Sequence, residues 1–242
     1  MNDILGITRS AVDLYGMIND GDTVAVGWSG GKGSTLLLLT LHRLGMFYPK
    51  KFRLMGLTVD IGAGADYTPL SRFCGELGIE YHVRDTNIRR IVFDVRKETN
   101  PCSLCSKMRR GALNNFAAEM GANKVALAHH RDDAVQTLML NLVHEGRIGC
   151  FQPVTYLSRK DLTVIRPFIL IPEIDLIQQA KETGIPVIRN FCGVDGDTER
   201  ESMKQLLSDM EQRYPGVTKR MFGAIKRSEL KGWGTDQEDK NE

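Results

Sequence analysis

Short apolar runs, bounded by glycine or polar residues, recur along the chain. Several of them are rich in β-branched residues and have the length of buried strands. These runs span residues 22–28, 51–60, 79–85, 123–130 and 162–168. We therefore predict a strand in each of them.

Between these runs, apolar residues recur at spacings of three and four, the period of an amphipathic helix. Pro172 suits a first helical turn, and Gly184 and Pro186 end that helix. Strands that alternate with helices predict the α/β class, with a Rossmann-like parallel sheet covered by helices on both faces. The predicted helices span residues 34–44, 68–77, 103–120, 132–144, 172–183, 198–213 and 217–227.

No stretch rich in proline, glycine and serine divides the chain into parts. We therefore predict a single domain over residues 1–231, which includes a helical C-terminal extension. The polar residues 232–242 are predicted to form a disordered tail.

The composition is that of an ordinary globular protein. Of the 242 residues, 42% are hydrophobic and 26% are charged, and the net charge is +2. No apolar run approaches the roughly 20 residues that span a bilayer. The N-terminal residues carry acids and lack the apolar core of a signal peptide. We expect a cytoplasmic protein without a membrane partner.

The chain has five cysteines, an odd number, and no export signal, so paired disulfides are not expected. Cys102 and Cys105 have C-x-x-C spacing where a helix is predicted to begin, and a helix N-terminus favours thiolates. Cys192, in the loop sequence NFCG, is the candidate third metal ligand. Cys74 fits an apolar helical pattern and is assigned to the core, and Cys150 is left unassigned.

Three thiolates suit a 4Fe-4S cluster in which one iron has no protein ligand. They also suit zinc if a fourth ligand such as a histidine joins them. A redox pair, or a C-x-x-C spacing without function, remains open at this point.

The sequence SGGKGS follows the first predicted strand and leads into a helix; residues 29–34 are called the glycine loop below. Gly30 and Gly31 allow a ligand to approach the backbone closely. The helix N-terminus and Lys32 supply positive charge, and Ser29 and Ser34 supply hydroxyl donors. This predicts an anion-binding site at the carboxyl end of a parallel strand. The alternative is a tight turn that binds nothing.

The glycine loop is neither of the two best-known phosphate-binding motifs. A Walker A loop needs a glycine where Val26 stands and a serine or threonine where Gly33 stands. The spacing of a G-x-G-x-x-G loop is also absent from residues 29–34.

A second polar motif, HHRDD, follows the fourth predicted strand. Asp132 and Asp133 open the next helix, so one of them can cap it. The other can hold Mg²⁺ on a nucleotide phosphate. His129 and His130 are either ligands or packed side chains at the strand end.

SGGK followed by serine resembles the PP-loop of the ATP pyrophosphatase superfamily. Those proteins cleave ATP between the α- and β-phosphates and adenylate an oxygen that nitrogen or sulfur then replaces. Their usual sequence is SGGKDS, and here Gly33 takes the place of the aspartate. That difference leaves a catalytically impaired nucleotide- and cluster-binding protein as one alternative.

The combined motifs are similar to those of the tRNA 2-thiocytidine synthetase family. SGGKxS, CSLCSKMRRGAL, HHRDDAVQTLMLN, IRPF and NFCG occur in the same order as in that family, over roughly residues 20 to 225. The resemblance implies that ATP adenylates the C2 oxygen of a cytidine in the tRNA anticodon loop. Sulfur carried on a 4Fe-4S cluster then replaces that oxygen and releases AMP.

The resemblance also implies roles for particular residues. The cluster would be held by Cys102, Cys105 and Cys192. Arg166 of IRPF would contact phosphate or the target base, and its alternative is a surface salt bridge. Mg²⁺ would be held by Asp132 or Asp133, and these two, Lys32 and Arg166 are the predicted catalytic residues. The residues predicted to contact ATP are Ser29, Gly30, Gly31, Lys32, Gly33, Ser34 and Asp60.

Two basic stretches support tRNA as the partner, because basic residues with interleaved aromatics suit RNA. Their alternative is a solvated helix face. The first stretch surrounds the C-x-x-C motif and comprises Arg84, Arg89, Arg90, Arg96, Lys97, Lys107, Arg109 and Arg110. The second comprises Arg213, Lys219, Arg220, Lys226, Arg227 and Lys231, near Tyr214, Phe222 and Trp233.

The expected sulfur donor is a cysteine desulfurase or free sulfide, and a homodimer is an open alternative to a monomer. Two rival enzymes are considered. One is a lysidine-type or amidase PP-loop enzyme that has no cluster. The other is a paralogue that acts on another base or on a small molecule.

Overall fold

The computed structural model describes residues 4–96, 101–188 and 199–234. Its centre is a six-stranded sheet with the strand order β3-β2-β1-β4-β6-β5. All neighbouring pairs are parallel except β5 with β6, which is antiparallel. The strands are β1 (Thr23–Gly27), β2 (Arg53–Asp60), β3 (Glu80–Asp85), β4 (Lys124–Ala126), β5 (Val154–Leu157) and β6 (Leu162–Ile165).

Eight α-helices lie within the described residues, and the predicted ones are found close to their expected positions. The helix at residues 4–14 was not predicted. Residues 90–96 form a short π-helical segment just before the described residues break off. The helices are α1 (Ile4–Leu14), α2 (Lys32–Phe47), α3 (Thr68–Leu77), α4 (Pro101–Glu119), α5 (Arg131–Glu145), α6 (Glu173–Thr183), α7 (Glu199–Arg213) and α8 (Val217–Arg227).

Helices cover both faces of the sheet, as predicted, and the alternation along β1 shows how. Val24 and Val26 point into the larger core, which α1, α2, α5 and α6 help to form. Ala25 points to the opposite face, where Phe116 of α4 and Val125 of β4 pack. Strand residues alternate between faces, so one buried apolar strand serves both layers.

Two strands are shorter than predicted, because the chain turns away from the sheet to build the site. The prediction extended the fourth strand to residue 130, but β4 ends at Ala126 and His130 is the N-cap of α5. The fifth predicted strand extended to residue 168, but β6 ends at Ile165, and Ile169 N–H donates to the Arg166 carbonyl in a turn.

The edge of the sheet differs from the purely parallel prediction. β5 and β6 form an antiparallel hairpin closed by the 3₁₀ turn Ser158–Lys160 and by Asp161 at φ 46°. Such a hairpin needs only a short connection, whereas parallel strands need a crossover. The alternating V-T-Y-L of β5 was the available sequence signal.

Two further expectations need correction at the ends of elements. Pro172 is the N-cap of α6, in extended conformation, rather than part of its first turn. Trp233, assigned to the polar tail, is 1% exposed, and its indole N–H donates to the Phe151 carbonyl at 2.8 Å. No helix among the described residues is long and apolar enough to cross a membrane.

Candidate functional site

The glycine loop connects β1 to α2 at the carboxyl edge of the sheet. Gly30 has φ +78°, and a Cβ at this position would lie 2.9 Å from Ile188 Cβ, so only glycine fits. Gly31 is the N-cap of α2, and the helix begins at Lys32, two residues before the predicted start. The free N–H groups of the first turn and the exposed Lys32 side chain therefore lie next to each other.

Hydroxyl groups hold the glycine loop in shape. Ser34 Oγ donates to the Gly31 carbonyl at 3.0 Å and lies 3.1 Å from Ser29 Oγ. Thr35 Oγ1 donates to the same Gly31 carbonyl at 3.0 Å, and it accepts the Trp28 indole N–H at 2.8 Å. Ser34, predicted as a hydroxyl donor to the ligand, thus donates its proton within the loop in this structure.

A backbone contact from another part of the chain also fixes the glycine loop. Ile188 N–H donates to the Gly30 carbonyl at 2.8 Å. This bond directs the Gly30 carbonyl toward residue 188. A carbonyl that faced an anion would repel it, so Ile188 helps to give the loop its polarity. Sequence reasoning missed this residue.

Gly33 occupies the second position of α2, where a Cβ atom fits. A Cβ there would lie 3.6 Å from Ala128 Cβ, which is ordinary van der Waals contact. Ala128 follows β4, so the glycine loop lies beside the segment that leads to the HHRDD motif. Lack of space for a Cβ atom is therefore not the reason that this chain has glycine instead of aspartate at position 33.

Each aspartate of the HHRDD motif caps the N-terminus of a helix. Asp133 accepts the His130 N–H at 3.0 Å in a capping box of α5. This is the capping role that was predicted for one of the two aspartates. Its other carboxylate oxygen accepts a hydrogen bond from Arg200 Nη1 at 2.9 Å. Asp132 accepts the Glu173 N–H at 2.7 Å and so caps α6, a role that the sequence did not reveal.

The adjacent histidines are packed side chains in this structure. His129 stacks on Phe151 with ring centroids 5.0 Å apart. Burial, and then the positive charge of Arg166, lower the pKa of His129 to about 4, so its imidazole is neutral at pH 7. Within the described residues, no group of three or more His, Cys, Asp or Glu side chains forms a metal site.

Arg166 follows β6 and is buried, with 8% of its surface exposed. Its Nη1 donates to the Gln152 carbonyl at 2.6 Å and to Thr155 Oγ1 at 3.2 Å, and its Cζ lies 4.9 Å from the Phe151 ring centroid. Burial lowers the pKa of Arg166 to about 10, so it stays charged. The surface salt bridge considered for Arg166 is therefore wrong.

Asp60 ends β2 at the same edge of the sheet, as predicted. Its Oδ1 accepts hydrogen bonds from the Gly62 N–H at 3.0 Å and from the Tyr67 hydroxyl at 3.3 Å. Burial and the Asp60 charge raise the pKa of Tyr67 to about 12, so the tyrosine remains a donor.

Cys102 and Cys105 are the second and fifth residues of α4, where a helix was predicted to begin, with Cys102 exposed and Cys105 half-buried. Residues three apart lie on one face of a helix, so both thiols can reach one metal centre. Cys192 lies outside the described residues. Cys74 is buried in the core, as predicted, and Cys150 donates to the Ala134 carbonyl at 3.3 Å. Burial raises the pKa of each of these two thiols to about 12.

The family follows from comparison with known proteins. A family model described as a PP-loop domain matches residues 7–209. The chain belongs to the PP-loop family. The tRNA-cytidine(32) 2-sulfurtransferase of Dechloromonas aromatica is 39% identical over 225 residues, 91% of this chain and 78% of the relative. The namesake from Geobacter sulfurreducens is 36% identical over 219 residues, 89% and 85% of the two chains. At this level of identity and coverage, the PP-loop protein belongs to the same family as these sulfurtransferases.

A solved structure shares the fold. The U34-tRNA thiolase NcsA from Methanococcus maripaludis, solved with its 4Fe-4S cluster, superposes with a TM-score of 0.73. It is 23% identical, and the match covers 92% of this chain and 77% of that one. This confirms the predicted α/β PP-loop fold.

The structure shows contacts of one cation in the first basic stretch and the exposure of the aromatic rings near the second. In the first, Arg84 pairs with Glu119 and lies 4.1 Å from the Phe116 ring centroid. Lys97 lies outside the described residues. In the second, Phe222 and Trp233 are buried, so the prediction that they interleave with the charges as stacking surfaces is wrong. Tyr214 remains 52% exposed.

Proposed function

We propose that the protein is an ATP-dependent tRNA sulfurtransferase that replaces the C2 oxygen of an anticodon-loop cytidine with sulfur. The observation that carries the proposal is the coexistence of a preformed anion-binding loop on β1 and α2 with two thiols near the start of α4. The curated relatives named tRNA-cytidine(32) 2-sulfurtransferase support this reaction, and they point to the base at position 32.

In this proposal the glycine loop binds the phosphates of ATP. The N–H groups of Lys32, Gly33 and Ser34, together with the Lys32 ammonium, stabilise the charge that develops on the phosphates. The cytidine C2 oxygen attacks the α-phosphorus and pyrophosphate leaves. Sulfur then forms a bond to C2, the C2–O bond breaks, and the oxygen departs with AMP. Adenylation is needed because an amide-like oxygen is otherwise a poor leaving group.

The donor set fits a metal centre on α4. Cys102 is exposed and Cys105 is half-buried, and the two lie three residues apart on one face of α4. We assign the third thiolate to Cys192. Cys102, Cys105 and Cys192 would hold a 4Fe-4S cluster, which would supply an iron that can carry the sulfur. In this proposal the sulfur comes from free sulfide, or from the persulfide of a cysteine desulfurase after a thiol reductant has released it as sulfide.

In this proposal the carboxylates of the HHRDD motif hold Mg²⁺, and the phosphates of the nucleotide complete its coordination. Mg²⁺ is usually held by one or two carboxylates together with substrate phosphates. Asp132 and Asp133 each use one oxygen to cap a helix, which fixes their orientation. Their other oxygens face Arg131 and Arg200, so Mg²⁺ would replace or share these contacts. Asp60 would lie close to the nucleotide at the end of β2. Arg166 would stabilise negative charge, held in place by Gln152 and Thr155.

The decisive experiment combines metal analysis with product analysis. Protein purified without oxygen should contain about four irons and four acid-labile sulfides per chain. Cys102→Ala, Cys105→Ala and Cys192→Ala should each lose them, whereas the core variant Cys74→Ala should keep them. With ATP, sulfide and unmodified tRNA, the wild-type protein should release AMP and form 2-thiocytidine, measured by mass spectrometry of tRNA nucleosides. Iron-free protein that resists reconstitution contradicts the cluster mechanism.

A second candidate function rests on Gly33. The aspartate of the usual SGGKDS sequence is missing, although a Cβ atom would fit beside Ala128. The second candidate is therefore a protein that binds nucleotide and cluster without turnover. It predicts ATP binding but no AMP release by the wild-type protein, and AMP release by Gly33→Asp. AMP release and 2-thiocytidine formation by the wild-type protein would exclude it.

A further inference from the structure

Positive charge is concentrated at the end of the described chain. Residues 213–231 contain six basic residues and one acid, Glu229, which gives this segment a charge of +5. The whole chain carries +2, so the remaining residues carry −3. The basic residues are Arg213, Lys219, Arg220, Lys226, Arg227 and Lys231, and together with Tyr214 they are called the α8 basic surface.

The charges of the α8 basic surface face solvent. Five of the six basic side chains are exposed, and Lys226 is half-buried. None of the six forms an ion pair with another described residue, whereas Arg84, Arg200 and Lys204 elsewhere each have a carboxylate partner. Repulsion among unpaired cations costs free energy, and a polyanion would relieve it.

The other side of α8 packs against the hydrophobic core. Phe222 and Ile225 are buried, with 6% and 1% of their surfaces exposed. Arg220 and Arg227 are seven residues apart, which is about two turns or 10 Å along the helix axis. The helix therefore presents a row of positive charge on a rigid support.

An exposed aromatic ring adjoins this row. Tyr214 is 52% exposed, and the Arg213 guanidinium lies 5.5 Å from its ring centroid. Arg220 donates to the carbonyls of Pro215 and Tyr214, at 2.9 and 3.4 Å, and so orders the turn between α7 and α8. A tyrosine beside an arginine is a surface on which a nucleotide base can stack.

The α8 basic surface continues toward the candidate active site. Two residues after Lys231, Trp233 donates to the Phe151 carbonyl. The Phe151 ring contacts both Arg166 and His129, which follow β6 and β4 at the carboxyl edge of the sheet. The chain that follows the α8 basic surface is thus linked through Trp233 and Phe151 to residues at the edge where ATP is proposed to bind.

We propose that the α8 basic surface binds the phosphodiester backbone of the tRNA substrate, with Tyr214 available for stacking. The proposal rests on the proposed tRNA sulfurtransferase function and adds where the substrate is held. It assigns the six cations to positioning and affinity and leaves the chemistry to the residues of the glycine loop and the HHRDD motif.

The test compares two charge-neutralising double variants of the full-length protein. Lys219→Gln/Arg227→Gln removes two charges from the α8 basic surface. The control Arg43→Gln/Lys181→Gln removes two exposed charges from α2 and α6, which likewise have no ion-pair partner among the described residues. Affinity for an unmodified tRNA transcript is measured by fluorescence anisotropy at several salt concentrations, and ATP affinity is measured in parallel.

We expect the α8 variant to bind tRNA about tenfold more weakly near physiological salt. Affinity falls as salt rises, and each phosphate contact adds roughly 0.7 to 0.9 to the steepness of log affinity against log salt. The loss of two contacts should therefore make this dependence less steep by about 1.5. The control should match the wild-type protein in both quantities, and ATP affinity should be unchanged in all three proteins.

The outcomes separate this proposal from the function on which it rests. If the wild-type protein binds tRNA and the α8 variant binds it with the same affinity and salt slope, the surface assignment is wrong and the function stands. If the wild-type protein does not bind tRNA at all, both proposals fall. If the α8 variant loses binding to phosphatidylcholine–phosphatidylserine vesicles but keeps its affinity for tRNA, the surface is a membrane contact and the proposal is overturned.

Discussion

The glycine loop and the start of α4 carry the two halves of the proposed chemistry, but they are built differently. Hydrogen bonds from Ser34, Thr35 and Ile188 fix the loop around Gly30 and Gly31. Cys102, in contrast, is exposed near the start of α4.

This difference has a physical reason. Backbone N–H groups bind phosphate only if the fold orients them beforehand, so an anion-binding loop must be rigid without its ligand. A metal centre, in contrast, draws ligands together with strong bonds of its own, and its binding energy can order them. The loop is therefore preorganised, whereas the thiols need only be accessible and on one face of α4.

The largest expected contrast is in thiol reactivity. With a pKa of about 12, Cys74 and Cys150 ionise to about one part in 10,000 near pH 8, and both are shielded. We expect iodoacetamide to alkylate exposed Cys102 at least about 100-fold faster in cluster-free protein. Mass spectrometry of timed digests measures this, with denatured protein as the control in which all thiols react. Equal rates in the folded protein would refute the contrast.

The next effect concerns the backbone of the glycine loop. Gly30→Ala places a methyl group at φ +78° and 2.9 Å from Ile188 Cβ. Strain of this kind costs about 1 to 3 kcal/mol, so we expect ATP to bind roughly 30-fold more weakly in calorimetric titration. Gly21→Ala is the matched control, because Gly21 has φ +80° with no atom within 4 Å. It should destabilise the protein without changing ATP affinity, and equal losses in both variants would contradict the assignment.

A smaller effect should follow from the contact between Ile188 and the glycine loop. Ile188→Pro removes the N–H that holds the Gly30 carbonyl. A lost hydrogen bond of this kind is worth about 1 kcal/mol, so ATP affinity should fall by about five- to tenfold. Val187→Pro adds a proline one residue earlier, at an exposed position, and should bind ATP as the wild-type protein does. Unchanged affinity in Ile188→Pro would show that the loop keeps its polarity without this contact.

The last expected effect is on stability and not on ATP affinity. Thr35→Val removes the acceptor of the buried Trp28 N–H and the donor to the Gly31 carbonyl. We expect a loss of about 1 to 2 kcal/mol in the free energy of unfolding by urea. Thr40→Val is matched, because Thr40 is also buried in α2 but bonds only to the Leu36 carbonyl of its own helix. Its loss should stay below about 0.5 kcal/mol, and equal losses would show that the contact with Trp28 adds nothing.

The sequence predicted the features that depend on near neighbours in the chain. The period of apolar residues gave the positions of β1, β2, β3, α3 and α8 to within a residue or two. The turn chemistry of SGGKGS gave the loop, and C-x-x-C spacing gave two thiols on one helical turn. These features are local, because a helix or strand is defined by residues a few positions apart.

What only the tertiary structure decided involves partners far apart in the chain. Asp132 caps α6 through Glu173, 41 residues away, and Ile188 reaches Gly30 across the sheet edge. Trp233 is buried because it meets the Phe151 carbonyl, 82 residues away. A polar or aromatic residue can be exposed to water or can contact another residue. Its neighbours in the sequence do not determine which of these two environments it has. Packing brings the partners together, and burial then makes each hydrogen bond necessary.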